Sequence, residues 1–150
     1  MSGRHDARTF AVQFLFQRDF NQGDLEPALV DFWAERPCDD KVRQFAAELI
    51  HGVEAQRADL DARLQRYAEN WDVRRMGAVD RNIMRMALFE MLHRKDIPPV
   101  VSINEAVDLA KELSSEESGR FVNGILDRAR RDLDRPSRAA AVARAPDQDR

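Results

Sequence analysis

The side chains of this chain that could do chemistry are suited to binding rather than to bond-making. In "GRFVNGILDRAR", Phe121 follows Arg120 and precedes Gly124 on a predicted helix. A ring beside bare backbone and a guanidinium makes a platform on which an unpaired base can stack. The same spacing also fits a phenylalanine at the margin of a core. Arg4, His5 and Arg8 precede the apolar block "FAVQFLF". There the positive end of a helix dipole and its free N–H groups favour phosphate. Glu90 lies within "MALFEML", so it is either a buried carboxylate paired with a base or a group whose complement a partner supplies. Covalent and metal chemistry have no candidates. Cys38 is the single cysteine, and His5, His51 and His93 do not have the spacing of a zinc site. Without a nucleophile–base pair or a glycine-rich phosphate loop, no enzyme, cofactor or metal is expected.

Helices must position these groups, because no stretch alternates with a period of two between turn signals. The pattern predicts helices over about Asp6–Asn21 and Pro27–Glu35, then a long one opened by Asp39 or Asp40. The stripe of that long helix includes Phe45, Leu49, Ile50, Val53, Leu60, Leu64 and Tyr67. A short turn around Trp71–Gly77 leads to a helix near Val79–Arg94 that is apolar almost all the way round and therefore central. Pro98 and Pro99 stop it, and Ser102 with Glu105 reads as a capping box opening the next helix. A last helix runs from about Ser118 to Leu133, with Val122, Ile125, Leu126 and Ala129 as its core stripe. Gly124 in mid-helix costs about 1 kcal/mol relative to alanine and permits a close approach of backbone or ligand. In the first helix Phe10, Phe14, Phe16 and Phe20 spread around the circumference, so they either all enter the core or leave an exposed patch for a protein partner.

The net charge of −3 hides segregation. Met1–Arg18 carries +2 and Val73–Lys95 carries +4, the latter from six bases against Asp80 and Glu90. Asp19–Asp72 and Asp96–Ser118 are acidic. Basic blocks distant in sequence can converge into an anion-binding surface on an acidic protein. Mixed faces on ordinary helices account equally well for the charges alone. No apolar run approaches the roughly 20 residues of a membrane span. The first residues lack a signal-peptide layout, so a cytoplasmic protein without membrane contact is expected. Residues 1–133 are expected to form one domain and 134–150 a disordered tail.

Three blocks, "DRNIMRMALFEML", "IPPVVSINEAVDLAKEL" and "RFVNGILDRA", closely resemble the NusB family of bacterial transcription antitermination factors in order and spacing, and "ARTFAVQFLFQ" resembles its first helix. The resemblance runs from about Ala7 to Arg131. It implies an all-α, single-domain bundle of about seven helices in two packed subbundles, without enzymatic activity. It further implies binding of boxA-type single-stranded RNA together with a small-subunit ribosomal protein acting as NusE. The complex would join RNA polymerase and other Nus factors and support transcription of ribosomal RNA operons. Carried over position by position, the RNA-facing residues are Arg4, His5, Arg8, Arg85, Glu117 and Phe121, with Arg120 added from the local reading above. Phe16, in place of a family tyrosine, and Asp80 fall on the side of the ribosomal partner. The competing expectation is a homodimeric interaction module, built on the aromatic first helix, with weak or no RNA binding.

Overall fold

The computed structural model describes residues 3–134, so the expected disordered tail lies outside the described residues. Six α-helices follow one another: α1 (Gly3–Phe20), α2 (Leu25–Ala34), α3 (Asp40–Ala68), α4 (Ala78–His93), α5 (Pro99–Leu113) and α6 (Glu116–Asp134). A single 3₁₀ turn, Val73–Arg75, lies between α3 and α4. No strand occurs among the described residues. The count among the described residues is six where the resemblance implied about seven, and one long helix serves both halves of the bundle. Gln56 leaves helical geometry (φ −116°, ψ 18°) and bends α3 there. Before the bend, His51 reaches Glu26 of α2; beyond it, Tyr67 hydrogen-bonds Asp132 of α6. The two subbundles are thus α1, α2 and the first half of α3, and the second half of α3 with α4, α5 and α6.

α4 is the shared centre, as its all-round apolar sequence requires. Every residue from Asn82 to Met91 is buried, and the helix packs on α1, α3, α5 and α6. Burying each such aliphatic side chain contributes roughly 1.5–3 kcal/mol, so α4 dominates the core. Its buried polar residues, Asn82, Arg85 and Glu90, all find partners. Glu90 accepts hydrogen bonds from Arg8 Nε and Nη2 and from the Ser102 hydroxyl, each at 2.8 Å. The buried, base-paired reading of Glu90 is the one realised. α1 runs antiparallel to α4: Arg8 meets Glu90 near one end, and Asp19 meets Arg81 and Asn82 near the other.

Two local expectations are corrected. α5 starts at Pro99, a turn before Ser102, and the N–H groups of Val101 and Ser102 return to the Pro98 carbonyl. Proline's fixed φ suits the first helical position, so the Pro98-Pro99 pair opens α5 rather than merely closing what precedes it. Ser102 is inside and bonded to Glu90, while Glu105 binds His5; there is no capping box. Gly124 is not a packing glycine, since no atom lies within 4 Å of where its Cβ would stand. The close approach is made by Gly52 of α3, where a Cβ would lie 2.1 Å from the Phe89 ring.

The phenylalanines of α1 divide. Phe14 is buried and Phe10 packs edge-on against Phe32 and Trp33, whereas Phe16 and Phe20 stand exposed beside each other, centroids 5.1 Å apart.

Candidate nucleic-acid interface

Phe121 lies on the second turn of α6, where Gly119 and Val122 face inward and leave its ring at the edge, partly open. It meets Trp71 edge-to-face, with centroids 5.7 Å apart and planes at 77°. Trp71 comes from the loop after α3, which turns sharply at Glu69 (φ 52°). Gln65 fixes that loop from both sides: its amide Nε2 donates to the Trp71 carbonyl (2.6 Å) and its Oε1 accepts from the Val73 N–H (2.9 Å). Asp72 then caps the 3₁₀ turn by accepting from the Arg74 N–H at 2.9 Å.

Trp71 and Phe121 border an open pocket of about 300 Å³, lined also by Arg75, Asp80, Glu117 and Ser118. Asp80 sits in the first turn of α4 and accepts the Ser118 hydroxyl on Oδ2 at 3.0 Å. Its Oδ1 is buried and has no hydrogen-bond partner among the described residues. Burial pushes this carboxyl above the usual carboxylate range. Arg75 and Arg120 are exposed, and neither has a carboxylate at ion-pair distance among the described residues, unlike most arginines here. The pocket therefore offers an aromatic corner, one guanidinium group without an ion-pair partner, Arg75, and two acids, Asp80 and Glu117. That combination suits a flat base with a phosphate attached.

Arg4 and His5 lie elsewhere. Arg4 is half-exposed with its guanidinium 4.8 Å from the Phe45 ring centroid, 3.8 Å from Asp96. His5 Nδ1 donates to the Glu105 carboxylate (3.0 Å), and its Nε2 lies 3.5 Å from Glu112. The Glu105 hydrogen bond is the main reason its pKa is raised. Arg4 approaches the C-terminal end of α4 and Asp80 begins it, so the two clusters are about 20 Å apart along the helix axis, at ~1.5 Å per residue.

Arg8 and Arg85 are corrections. Arg8 is buried and forked onto Glu90, because its position on α1 faces the central helix. Arg85, on α4 itself, is buried between α3 and α1; its Nε and Nη2 bind Asp61 (2.6 and 2.8 Å) and its Nη1 binds Asn82. Neither side chain reaches a surface where phosphate could meet it. Glu117 and Phe121 are brought together with Asp80, which the resemblance places on the partner side, whereas Arg120 is exposed on α6 and does not line the pocket. Phe16 lines a separate groove with Val79 and Leu113, so groove and pocket each take one residue, Val79 and Asp80, from the first turn of α4. Trp71 and Arg75 were missed as site residues. The signal was present in "ENWDVRRMG", an aromatic in a polar turn followed by two bases.

No helix among the described residues is long and apolar enough to cross a membrane, and no group of His, Cys, Asp and Glu among them could hold a metal ion. The NusB family model matches residues 5–131. The transcription antitermination protein NusB of Desulforapulum autotrophicum is 46% identical over 132 residues, covering 87% of this chain and 92% of that protein. The NusB of Myxococcus xanthus is 39% identical over 140 residues, covering 91% of this chain and all of that one. Among solved structures, T. maritima NusB superposes with a TM-score of 0.77 at 40% identity, over 83% of this chain and 88% of that chain. A complex of antitermination factors NusB and NusE with dsRNA contains a chain of the same fold, with a TM-score of 0.77 at 24% identity, over 85% of this chain and 96% of that one. With the family's pattern covering nearly all the described helices, and relatives of this identity matching over most of both chains, the chain belongs to the NusB family.

Proposed function

We propose that this protein is a transcription antitermination factor that binds boxA-type single-stranded RNA together with the ribosomal protein acting as NusE. On this reading it has no enzymatic activity, works in the cytoplasm with the elongating RNA polymerase and other Nus factors, and supports transcription of ribosomal RNA operons. The observation that carries the reading is the pocket where the open face of Phe121 meets Trp71, with Arg75 in its lining and no carboxylate at ion-pair distance from that guanidinium among the described residues. Relatives named for antitermination, and a fold shared with a NusB–NusE complex on RNA, support it. Of the basic start, Arg4 and His5 remain candidates for phosphate contact; Arg8 and Arg85 act as scaffold. Phe16 and the adjoining first turn of α4 form the surface offered to the protein partner.

Phe121→Ala should weaken binding of labelled boxA-type RNA, in the presence of the NusE partner, by about 1–3 kcal/mol, the loss expected for one stacked base. The circular dichroism spectrum should not change, because the ring is not part of the sealed core. Unaltered affinity would remove Phe121 from the interface. A homodimeric reading rests on the exposed pair Phe16 and Phe20, 38% and 67% accessible. A dimer in size-exclusion chromatography that the NusE partner leaves intact would favour it.

A further inference from the structure

Trp71 stands between two open pockets and lines both. On one side is the pocket of Phe121; on the other is a larger one, about 500 Å³, bordered by Gln65, Asn70, Asp72 and Arg74. The indole is 63% exposed, the largest apolar side chain so displayed. It is nevertheless not on a loose loop. Gln65 binds the backbone on either side of Asp72, and the Trp71 N–H donates to the Ala68 carbonyl at 3.1 Å. Phe121 supports one region of the indole and leaves the rest to solvent. A rigid aromatic held out in this way loses little conformational freedom on meeting a flat ligand.

We infer that Trp71 is a second base-stacking residue, which takes the nucleotide next to the one on Phe121. The inference rests on the RNA-binding reading above and deepens it. Because the rings stand at 77° they form a corner rather than a slot. Two bases lying on them cannot remain stacked on each other, so the strand turns as it passes from one pocket to the next. Arg75 lies on the Phe121 side without an ion-pair partner among the described residues, whereas Arg74 on the far side is tied to Asp72 by two side-chain hydrogen bonds. Arg75 is thus the cation placed to meet the phosphate at the turn. Stacking tolerates any base, so Trp71 contributes affinity and strand path more than sequence choice.

The chain has two tryptophans, and Trp33 packs against Phe10 and Phe32 away from both pockets. Trp33→Phe therefore leaves Trp71 as the chain's only indole reporter, with the W33F/W71F chain supplying the background. Fluorescein-labelled boxA-type single-stranded RNA is titrated by anisotropy, with the NusE partner present, into wild type, W71A, W71F and F121A, and the emission of W33F is followed in parallel. W71A should raise Kd about five- to a hundredfold, as loss of one stacked base would. W71F should recover most of the affinity, and Trp71 emission should fall along the same isotherm. Wild-type affinity in W71A beside a weakened F121A would overturn the role of Trp71 alone. Weakened binding with no change in Trp71 emission, or no recovery in W71F, would also overturn it. Failure of wild type to bind this RNA, or no effect of either substitution, would overturn the RNA reading itself.

Discussion

Glu90→Ala tests the central helix directly. In the native protein the Glu90 carboxylate accepts three hydrogen bonds, two from Arg8 and one from Ser102, and the Arg8 and Glu90 side chains are 3% and 1% exposed. Removing the carboxylate leaves a guanidinium sealed among apolar groups with two donors unsatisfied. Breaking a buried pair from one side costs about 3–5 kcal/mol, of the order that two lost charge-assisted hydrogen bonds at ~1.5–3 kcal/mol each would give. Against a domain stability of about 5–15 kcal/mol, that is at least about a fifth of the total. The combined variant Arg8→Met, Glu90→Leu, Ser102→Ala removes every member of the network. It should recover to within about 1–2 kcal/mol of wild type, since apolar replacement of a whole buried pair is often close to neutral. Urea unfolding followed by circular dichroism measures both through the shift in midpoint. A loss below about 1 kcal/mol in Glu90→Ala, or a combined variant no better than the single one, would refute the pairing. The combined variant also separates scaffold from contact. If Arg8 touches no phosphate, the slope of log K against log salt stays as in wild type; a slope shallower by about one would place Arg8 on the RNA.

Gly52→Ala should destabilise the protein by about 1–3 kcal/mol through overpacking, because the new methyl would meet the Phe89 ring at 2.1 Å. Phe89→Leu in the same chain should relieve part of that loss in a thermal melt. His5 titrates with its folded pKa above the model-peptide value of 6.5, chiefly through the Glu105 hydrogen bond. The stabilisation it contributes is complete below 6.5 and disappears as pH rises through the folded value. Melting temperatures of wild type and His5→Gln should therefore converge on the alkaline side and separate on the acid side. Since His51 is raised in the same direction by Glu26, the difference between the two proteins is the quantity to read.

Much of the bundle was legible because helical periodicity states which face is inside. α4 betrayed its central place by having no polar face, and the acid that broke its apolar run, Glu90, signalled an internal partner. Which base that partner was could not be read, since Arg8 lies 82 positions away and its neighbours suggested a phosphate arm. Arg85 is carried over from the resemblance alone and Arg8 also from its basic neighbours, and what neither shows is the packing on α4: α1 turns Arg8 onto Glu90, and Asp61 of α3 draws Arg85 inward. The capping box failed because Ser102 and Glu105 have the right spacing for each other but better partners in space, Glu90 and His5. Trp71 escaped notice because a turn has no periodicity from which to judge exposure. The joining of Asp80 to Phe121 likewise depends on how α6 docks against the start of α4, which no local pattern encodes.

The antiparallel course of α1 along α4 makes the protein a caliper. Its basic tip and its aromatic corner are fixed about 20 Å apart by a single stiff rod. If, as proposed, both ends meet RNA, an oligonucleotide too short to reach across engages one jaw at a time, and its affinity is that of the better jaw. Once the strand is long enough, the second contact becomes intramolecular and avidity rises without any new chemistry. Affinity plotted against oligonucleotide length should then climb in a step rather than a ramp, and Arg4→Ala should flatten the step while leaving the shorter strands unaffected. A smooth rise unaltered by that substitution would mean that the jaws never close on one strand.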